Sequence, residues 1–211
     1  MSVSVDLEFV MRTIAHTSVD NEKEFGDLDA VVGDGDFGYS LARGFEIVVA
    51  EWDDYDRSSS SVFLQKIALT ISKRVGGTSG PLWGTAFLRA AAAVKDKEEL
   101  TGADAVAMLR AAAEGIKQRG NSDVGDKTLL DALVPMTDAI ESALGSGGSA
   151  KSVAEAAAKA ARVSADATTS MQAMRGRASY TGERSIGSPD AGAVAIAVMA
   201  ERAAADWPGD D

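Results

Sequence analysis

Apolar residues recur at three- and four-residue spacing in stretch after stretch of this 211-residue chain, and this periodicity limits the fold more than any other feature. Leu7, Val10, Met11 and Ile14 form one such series, and Leu41, Phe45, Val48, Val49 and Trp52 form a second. Phe63, Ile67, Ile71 and Val75 mark a third, stopped by Gly76 and Gly77; a fourth starts near Pro81 and runs through alanines to about Val94. Val106, Leu109, Ala113 and Ile116 mark a fifth, ending at Gly120. A sixth begins near Lys127, carries Leu130, Leu133, Ile140 and Leu144, and has Pro135 inside it as a candidate kink. The seventh is alanine-rich, from about Ser152 to Met174, and the eighth spans roughly Asp190 to Ala205. Only Val31-Val32 resembles a strand. The expected fold is therefore all-α: one domain over residues 1–211, built as an antiparallel bundle or barrel of eight amphipathic helices.

In such an up-and-down arrangement the first, third, fifth and seventh connections share one end. Those four connections are the unusual ones: Gly33 to Gly38, Gly76 to Gly80, Gly120 to Thr128, and Gly176 to Gly192 are rich in glycine and small hydroxyl or charged residues. A rim of glycine-rich loops, each leading into a helix N-terminus, presents free backbone N–H groups and favourable helix dipoles to phosphates.

The first of these loops is also acidic. Glu24, Asp27, Asp29, Asp34 and Asp36 precede Ala42 with no Lys or Arg between Glu24 and Ala42. Either these carboxylates are splayed into water, with Asp36 as a helix N-cap, or a hard divalent cation gathers them. Asp29, Asp34 and Asp36 cannot share one helix face, which suits a loop wrapped around an ion. An EF-hand is excluded, because Ser40 or Phe45 stands where its bidentate Glu belongs. Gly120 to Thr128 approaches a P-loop, but Asp126 is inserted before Lys127 and a helix precedes it, so it reads as a helix start with a solvated lysine. Arg175, Arg177 and Arg184 form the one concentrated basic cluster and suit a diphosphate. His16, the single histidine, sits on a helix away from every loop and reads as structural.

The net charge of -11 argues against nucleic acid as a partner. The absence of cysteine excludes disulfides and thiolate metal sites, and no stretch has the length of a membrane span. A cytoplasmic protein is the expectation.

Leu28-Asp29-x-x-x-Gly33-Asp34-Gly35-Asp36-x-Gly38, Gly76-Gly77-Thr78-Ser79-Gly80-Pro81-Leu82, Gly125-Asp126-Lys127-Thr128-x-x-Asp131 and the long motif from Gly176 to Ala193 together resemble the nucleotide-binding L subunit (DhaL type) of dihydroxyacetone kinases. The resemblance covers nearly the whole chain in order. It implies an eight-helix barrel with ADP or ATP at one rim and two Mg²⁺ ions held by Asp29, Asp34 and Asp36. It places Phe37, Gly38, Tyr39 and Ser40 along the phosphates and nucleoside, Gly77, Thr78 and Ser79 at the phosphates, and Gly120 and Leu129 beside the base. Arg177 would reach the nucleotide, and Asp190, Ala191 and Gly192 would close the pocket. No residue of this chain is then catalytic beyond positioning phosphate. The implied partner is a K-type subunit that holds the sugar on a histidine, so this chain would be one part of a kinase; a homodimer is compatible with the resemblance.

Phosphotransferase-dependent members, whose fixed ADP is recharged by an M-type phosphocarrier, typically carry His at the position of Phe37, and often His and Pro at Ser188 and Ala191. Phe37 favours ATP-dependent action. A non-catalytic nucleotide-binding regulator is the rival from another class.

Overall fold

The computed structural model describes residues 3–208, and among them nine α-helices and no strands. In chain order they are α1 (Val5–Asp20), α2 (Glu22–Ala30), α3 (Phe37–Ala50), α4 (Ser60–Arg74), α5 (Ser79–Ala93), α6 (Gly102–Gly120), α7 (Leu130–Gly145), α8 (Ala150–Ala167) and α9 (Ala191–Ala205). From α2 onward each helix packs against the next, α1 packs on α3, and α9 returns to both α1 and α2, so the set closes into a ring. Helices α1 and α2 both lie between α3 and α9 and act as one interrupted stave, which reconciles nine helices with the expected eight.

The interruption at Asn21 is what the periodicity missed. Asn21 leaves helical geometry at φ -103° and ψ 18°, and its side chain donates to Thr17 O at 2.8 Å. The chain then turns helical again because Phe25, fully buried, and Leu28 give α2 an apolar side, while Glu22 and Glu24 suit the positive end of its dipole. Leu28, Asp29 and Ala30, expected in the acidic loop, therefore belong to a helix, and the loop shrinks to 31–36. Where α2 meets α3 the backbones nearly touch. A Cβ on Gly38 would lie 2.5 Å from Gly26 N and closer still to Glu22 O.

Two other expected boundaries move for local reasons. Helix α7 begins at Leu130 rather than near Lys127, because the Asp131 carboxylate accepts from Gly125 N at 2.5 Å and Thr128 N at 2.7 Å and folds residues 125–128 into a turn. The helix then continues through Pro135. Helix α8 ends at Ala167 rather than Met174: a short 3-10 turn, Thr168–Ser170, follows, with the Thr168 hydroxyl donating to Ala165 O, and the chain is extended at Met171. Helix α6 starts with a reciprocal cap, in which Thr101 Oγ1 accepts from Asp104 N and the Asp104 carboxylate accepts from Thr101 N. Lys97 adds an ion pair at 2.8 Å, and these bonds hold the Asp104 carboxyl down at about 2.

The core inside the ring includes Phe25, Leu41, Phe45, Phe63, Leu64, Ile67, Ile71 and Leu130, all at most 1% exposed. Trp83 and Phe87 pack edge-on against Phe45. Alanines replace bulky residues between α8 and α9, where Ala154, Ala158 and Ala204 form a second small cluster under Trp207. Among the described residues no helix is long and apolar enough to cross a membrane.

Candidate functional site

Antiparallel packing around a closed ring puts the α2–α3, α4–α5, α6–α7 and α8–α9 connections at one rim, as the glycine-rich loops require. Contacts between the loops agree. The Cβ position of Gly76 lies 3.1 Å from Ser40 Oγ, that of Gly120 lies 3.2 Å from Leu82 Cδ2, and that of Gly192 lies 3.2 Å from Leu129 Cβ. Met174 N donates to Asp126 O at 3.0 Å, tying the last loop to the third.

At this rim Asp29, in the last turn of α2, Asp34, in the loop, and Asp36, at the N-cap of α3, each offer a carboxylate oxygen within 4.8 Å of the others. Among the described residues no other three acidic, histidine or cysteine side chains meet in this way. The approach depends on Gly33, since a Cβ there would run into the Asp29 carboxylate, with Cγ at 2.8 Å. Asp36 stands at the N-cap without spending its side chain on the helix, so its carboxylate is free for another cation. Asp29 accepts from Phe37 N at 3.4 Å. Its carboxyl is pushed above the usual range, mainly by burial, with repulsion from Asp34 and Asp36 in the same sense and the Phe37 and Gly35 N–H groups opposing. Three converging oxygens with mutual repulsion and no buried base of their own make a donor set suited to a hard divalent cation.

One base does reach them. Arg177, from the α8–α9 segment, donates to Asp34 Oδ1 at 2.7 Å and Asp36 Oδ1 at 3.3 Å across more than 140 positions of sequence. All three side chains remain substantially exposed, so the guanidinium keeps access to a ligand at the rim. Arg175 takes a different path and pairs with Asp126 at 3.1 Å, and Arg184 lies along its own turn against Thr181 O.

The remaining expected positions divide into those that face the rim and those committed elsewhere. Gly77, at φ 61°, and Thr78 are exposed, with Ser79 starting α5, so this loop offers free N–H groups. Gly38, Ala191 and Gly192 lie in first helical turns at the rim, and Gly120 closes α6 before a left-handed Asn121. Tyr39 is exposed and Ser40 buried. Leu129 and Phe37 are partly buried against the core, and the Phe37 ring meets Phe25 at 6.2 Å between centroids, so that position turns an apolar side chain inward. Asp190 N-caps α9, accepting from Ala193 N at 2.8 Å while its own N–H donates to Thr168 Oγ1 at 2.8 Å. Burial, helped by Asp131 and opposed by that cap and by Lys127, pushes the Asp190 carboxyl up to about 7.

Lys127 is the main correction. Expected in solvent, it is 2% exposed, sits at φ 60° and donates to three carbonyl oxygens, those of Met171, Ser185 and Ser188. Nothing local marks it, because its partners are 44, 58 and 61 positions away.

A family model described as the DAK2 domain matches residues 31–205. The ADP-binding subunit DhaL of the PEP-dependent dihydroxyacetone kinase of Escherichia coli (strain K12) is 39% identical over 172 residues, covering 82% of this chain and 82% of that one. The L-erythrulose 1-kinase of Mycolicibacterium smegmatis is 36% identical over 192 residues, 90% of this chain but only 33% of that enzyme. Among solved structures, the dihydroxyacetone kinase from C. freundii in complex with AMP-PNP and Mg²⁺ has a TM-score of 0.74 over 94% of this chain and 33% of its own, at 23% identity. A likeness at that identity establishes the fold.

Proposed function

The chain belongs to the DAK2 domain family, and from that membership and the geometry of the rim we propose that residues 1–211 form the nucleotide-binding, phosphoryl-donor subunit of a dihydroxyacetone or related ketose kinase. The observation that carries this reading is the meeting of the Asp29, Asp34 and Asp36 carboxylates with Arg177 inside a ring of glycine-rich helix starts. A protein of net charge -11 needs such local positive elements to hold a polyphosphate.

In this reading Asp29, Asp34 and Asp36 hold a pair of Mg²⁺ ions, which neutralise the charge of the phosphates. Arg177 shifts from the carboxylates to phosphate oxygens as a charged fork. The N–H groups around Gly77, Thr78 and Ser79, and those of Gly38 and Tyr39 at the start of α3, cradle the same phosphates, with Ser40 buried behind them and its own N–H given to Asp36 O at 2.8 Å. Gly120 and Leu129 flank the base, and Asp190, Ala191 and Gly192 close the pocket beside it. The chain thus works by positioning and charge neutralisation, leaving the acceptor hydroxyl to a K-type sugar-binding partner. Exposed Val31, Tyr39, Val124, Met174, Tyr180 and Ile186 surround the rim and support such a docking role.

The relatives matched over most of their own length are named as ADP-binding subunits of PEP- or PTS-dependent kinases. They favour a second reading, in which ADP stays bound and an M-type phosphocarrier recharges it. The apolar Phe37 supports exchange of ATP instead.

Purified chain, ATP, Mg²⁺, dihydroxyacetone and candidate K-type subunits test the proposal. Sugar phosphate formed only when both chains are present is the expected result. Tight nucleotide binding without transfer to any partner would make the chain a regulator. Nucleotide retained through desalting, with turnover only when a phosphocarrier is added, selects the second reading.

A further inference from the structure

Lys127 is a buried rim cation that the nucleotide reading leaves without a task. Its ammonium donates to Met171 O at 3.1 Å, to Ser188 O at 2.7 Å and to Ser185 O. Three donors are all that an ammonium has, so none remains for a phosphate. The three carbonyls stand at the two ends of one segment, 171–188, which carries Arg177 at its outer part.

The surroundings are arranged to aim this side chain. The φ of 60° is a conformation that a non-glycine residue keeps only where its neighbours over-determine it. Asp131 supplies that constraint by accepting from Gly125 and Thr128 on either side. The segment has its own fastenings near the clamp: Ala173 N donates to Ser185 Oγ at 2.8 Å, Met174 N to Asp126 O at 3.0 Å and Gly187 N to Thr169 O at 2.8 Å, and Arg175 pairs with Asp126 at 3.1 Å. Beyond these, between Gly176 and Gly182, it bears on the rest of the rim chiefly through the ion pairs of Arg177.

We propose that Lys127 is a positioning residue that clamps both ends of segment 171–188 and so holds Arg177 over the acidic trio, acting on the nucleotide only through Arg177. The consequence for ligand binding rests on the nucleotide reading above; the clamp itself does not. A guanidinium, planar and forked, cannot reproduce three converging ammonium bonds, so Lys127→Arg is expected to fail as well.

The chain has no cysteine, so Lys127→Cys introduces a single thiol. Aminoethylation of that thiol in denaturant, followed by refolding, restores an ammonium at nearly the length of lysine. Amide hydrogen exchange over 171–188 and the calorimetric affinity for Mg-ADP are measured for wild type, Lys127→Met, Lys127→Cys before and after aminoethylation, Arg177→Met, and the Lys127→Met/Arg177→Met double variant. Exchange in the segment is expected to rise, and affinity to fall, by at least about tenfold in Lys127→Met. The double variant is expected to bind no more weakly than Arg177→Met alone, and aminoethylation is expected to restore both readouts.

Unchanged protection of 171–188 overturns the clamp, and losses that multiply in the double variant overturn the route through Arg177. Should Lys127→Met fail to fold, the aminoethylated and unmodified cysteine proteins decide: no difference between them in exchange sinks the proposal. If wild type binds no Mg-ADP at all, the nucleotide reading falls, and the exchange pattern still decides whether Lys127 is a clamp.

Discussion

Single carboxylates at the rim differ in what they cost the fold. Asp34 and Asp36 are exposed enough that their pairing with Arg177 is worth at most about 1 kcal/mol, and repulsion within the trio opposes it. Asp34→Asn and Asp36→Asn should therefore abolish measurable Mg-ADP binding in calorimetry and leave unliganded stability unchanged or raised. Undiminished ADP affinity in magnesium would remove the metal assignment. Asp190 behaves in the opposite way. Its folded-state carboxyl, near 7, lies above the ordinary value of 3.8, so the folded state binds the proton more tightly than the unfolded one. Its contribution to stability is fully present below about pH 4 and is lost as pH rises through 7. Asp190→Asn, which keeps an N-cap oxygen, should flatten the thermal midpoint between pH 4 and 7 relative to wild type and stabilise the protein at pH 8; parallel profiles would show that Asp190 does not titrate there. The acidic trio was legible in the sequence because three carboxylates without a base are a local fact. Lys127 was not, because the carbonyls that bury it come from the other end of the chain.

Helices were legible wherever an apolar stripe and a glycine stop coincided, as in α4 and α6. They were misjudged where a side chain overrode the pattern, as with Asp131 at the start of α7 and Thr168 at the end of α8. The contact between α2 and α3 belongs to this scale. Gly38→Ala would force backbone apart from backbone at Glu22 and Gly26, and overpacking of this kind costs about 1–3 kcal/mol. Thermal or urea denaturation should show that loss, together with weaker Mg-ADP binding, since Asp29 and Asp36 ride on the two helices being separated. Wild-type stability in Gly38→Ala would mean that the pair can separate at no cost. The glycine itself is plain in the sequence; only packing reveals that it faces another backbone.

The molecule as a whole is an acidic ring whose site draws on loops from all parts of the chain. A ligand that binds only the folded ring stabilises it by RT ln(1 + [L]/Kd), about 2.7 kcal/mol at a hundredfold excess over Kd. For a chain of this size that corresponds to a rise of roughly 5–10 °C in thermal midpoint. Mg²⁺ and ADP together should produce it, either alone should not, and a chelator should reverse it; a full rise with ADP in chelator would show that the carboxylates play no part. Closure of the ring also sets an order of events in time. The first stave, α1 with α2, has no second wall until α9 arrives, and Arg177 cannot meet Asp34 until some 140 further residues have been made. On a ribosome the N-terminal acidic loop therefore emerges long before its counter-charge, and under the proposed function the rim that would take up nucleotide is whole only once synthesis has passed α9. Competence to bind is in effect a signal that the ring has been completed.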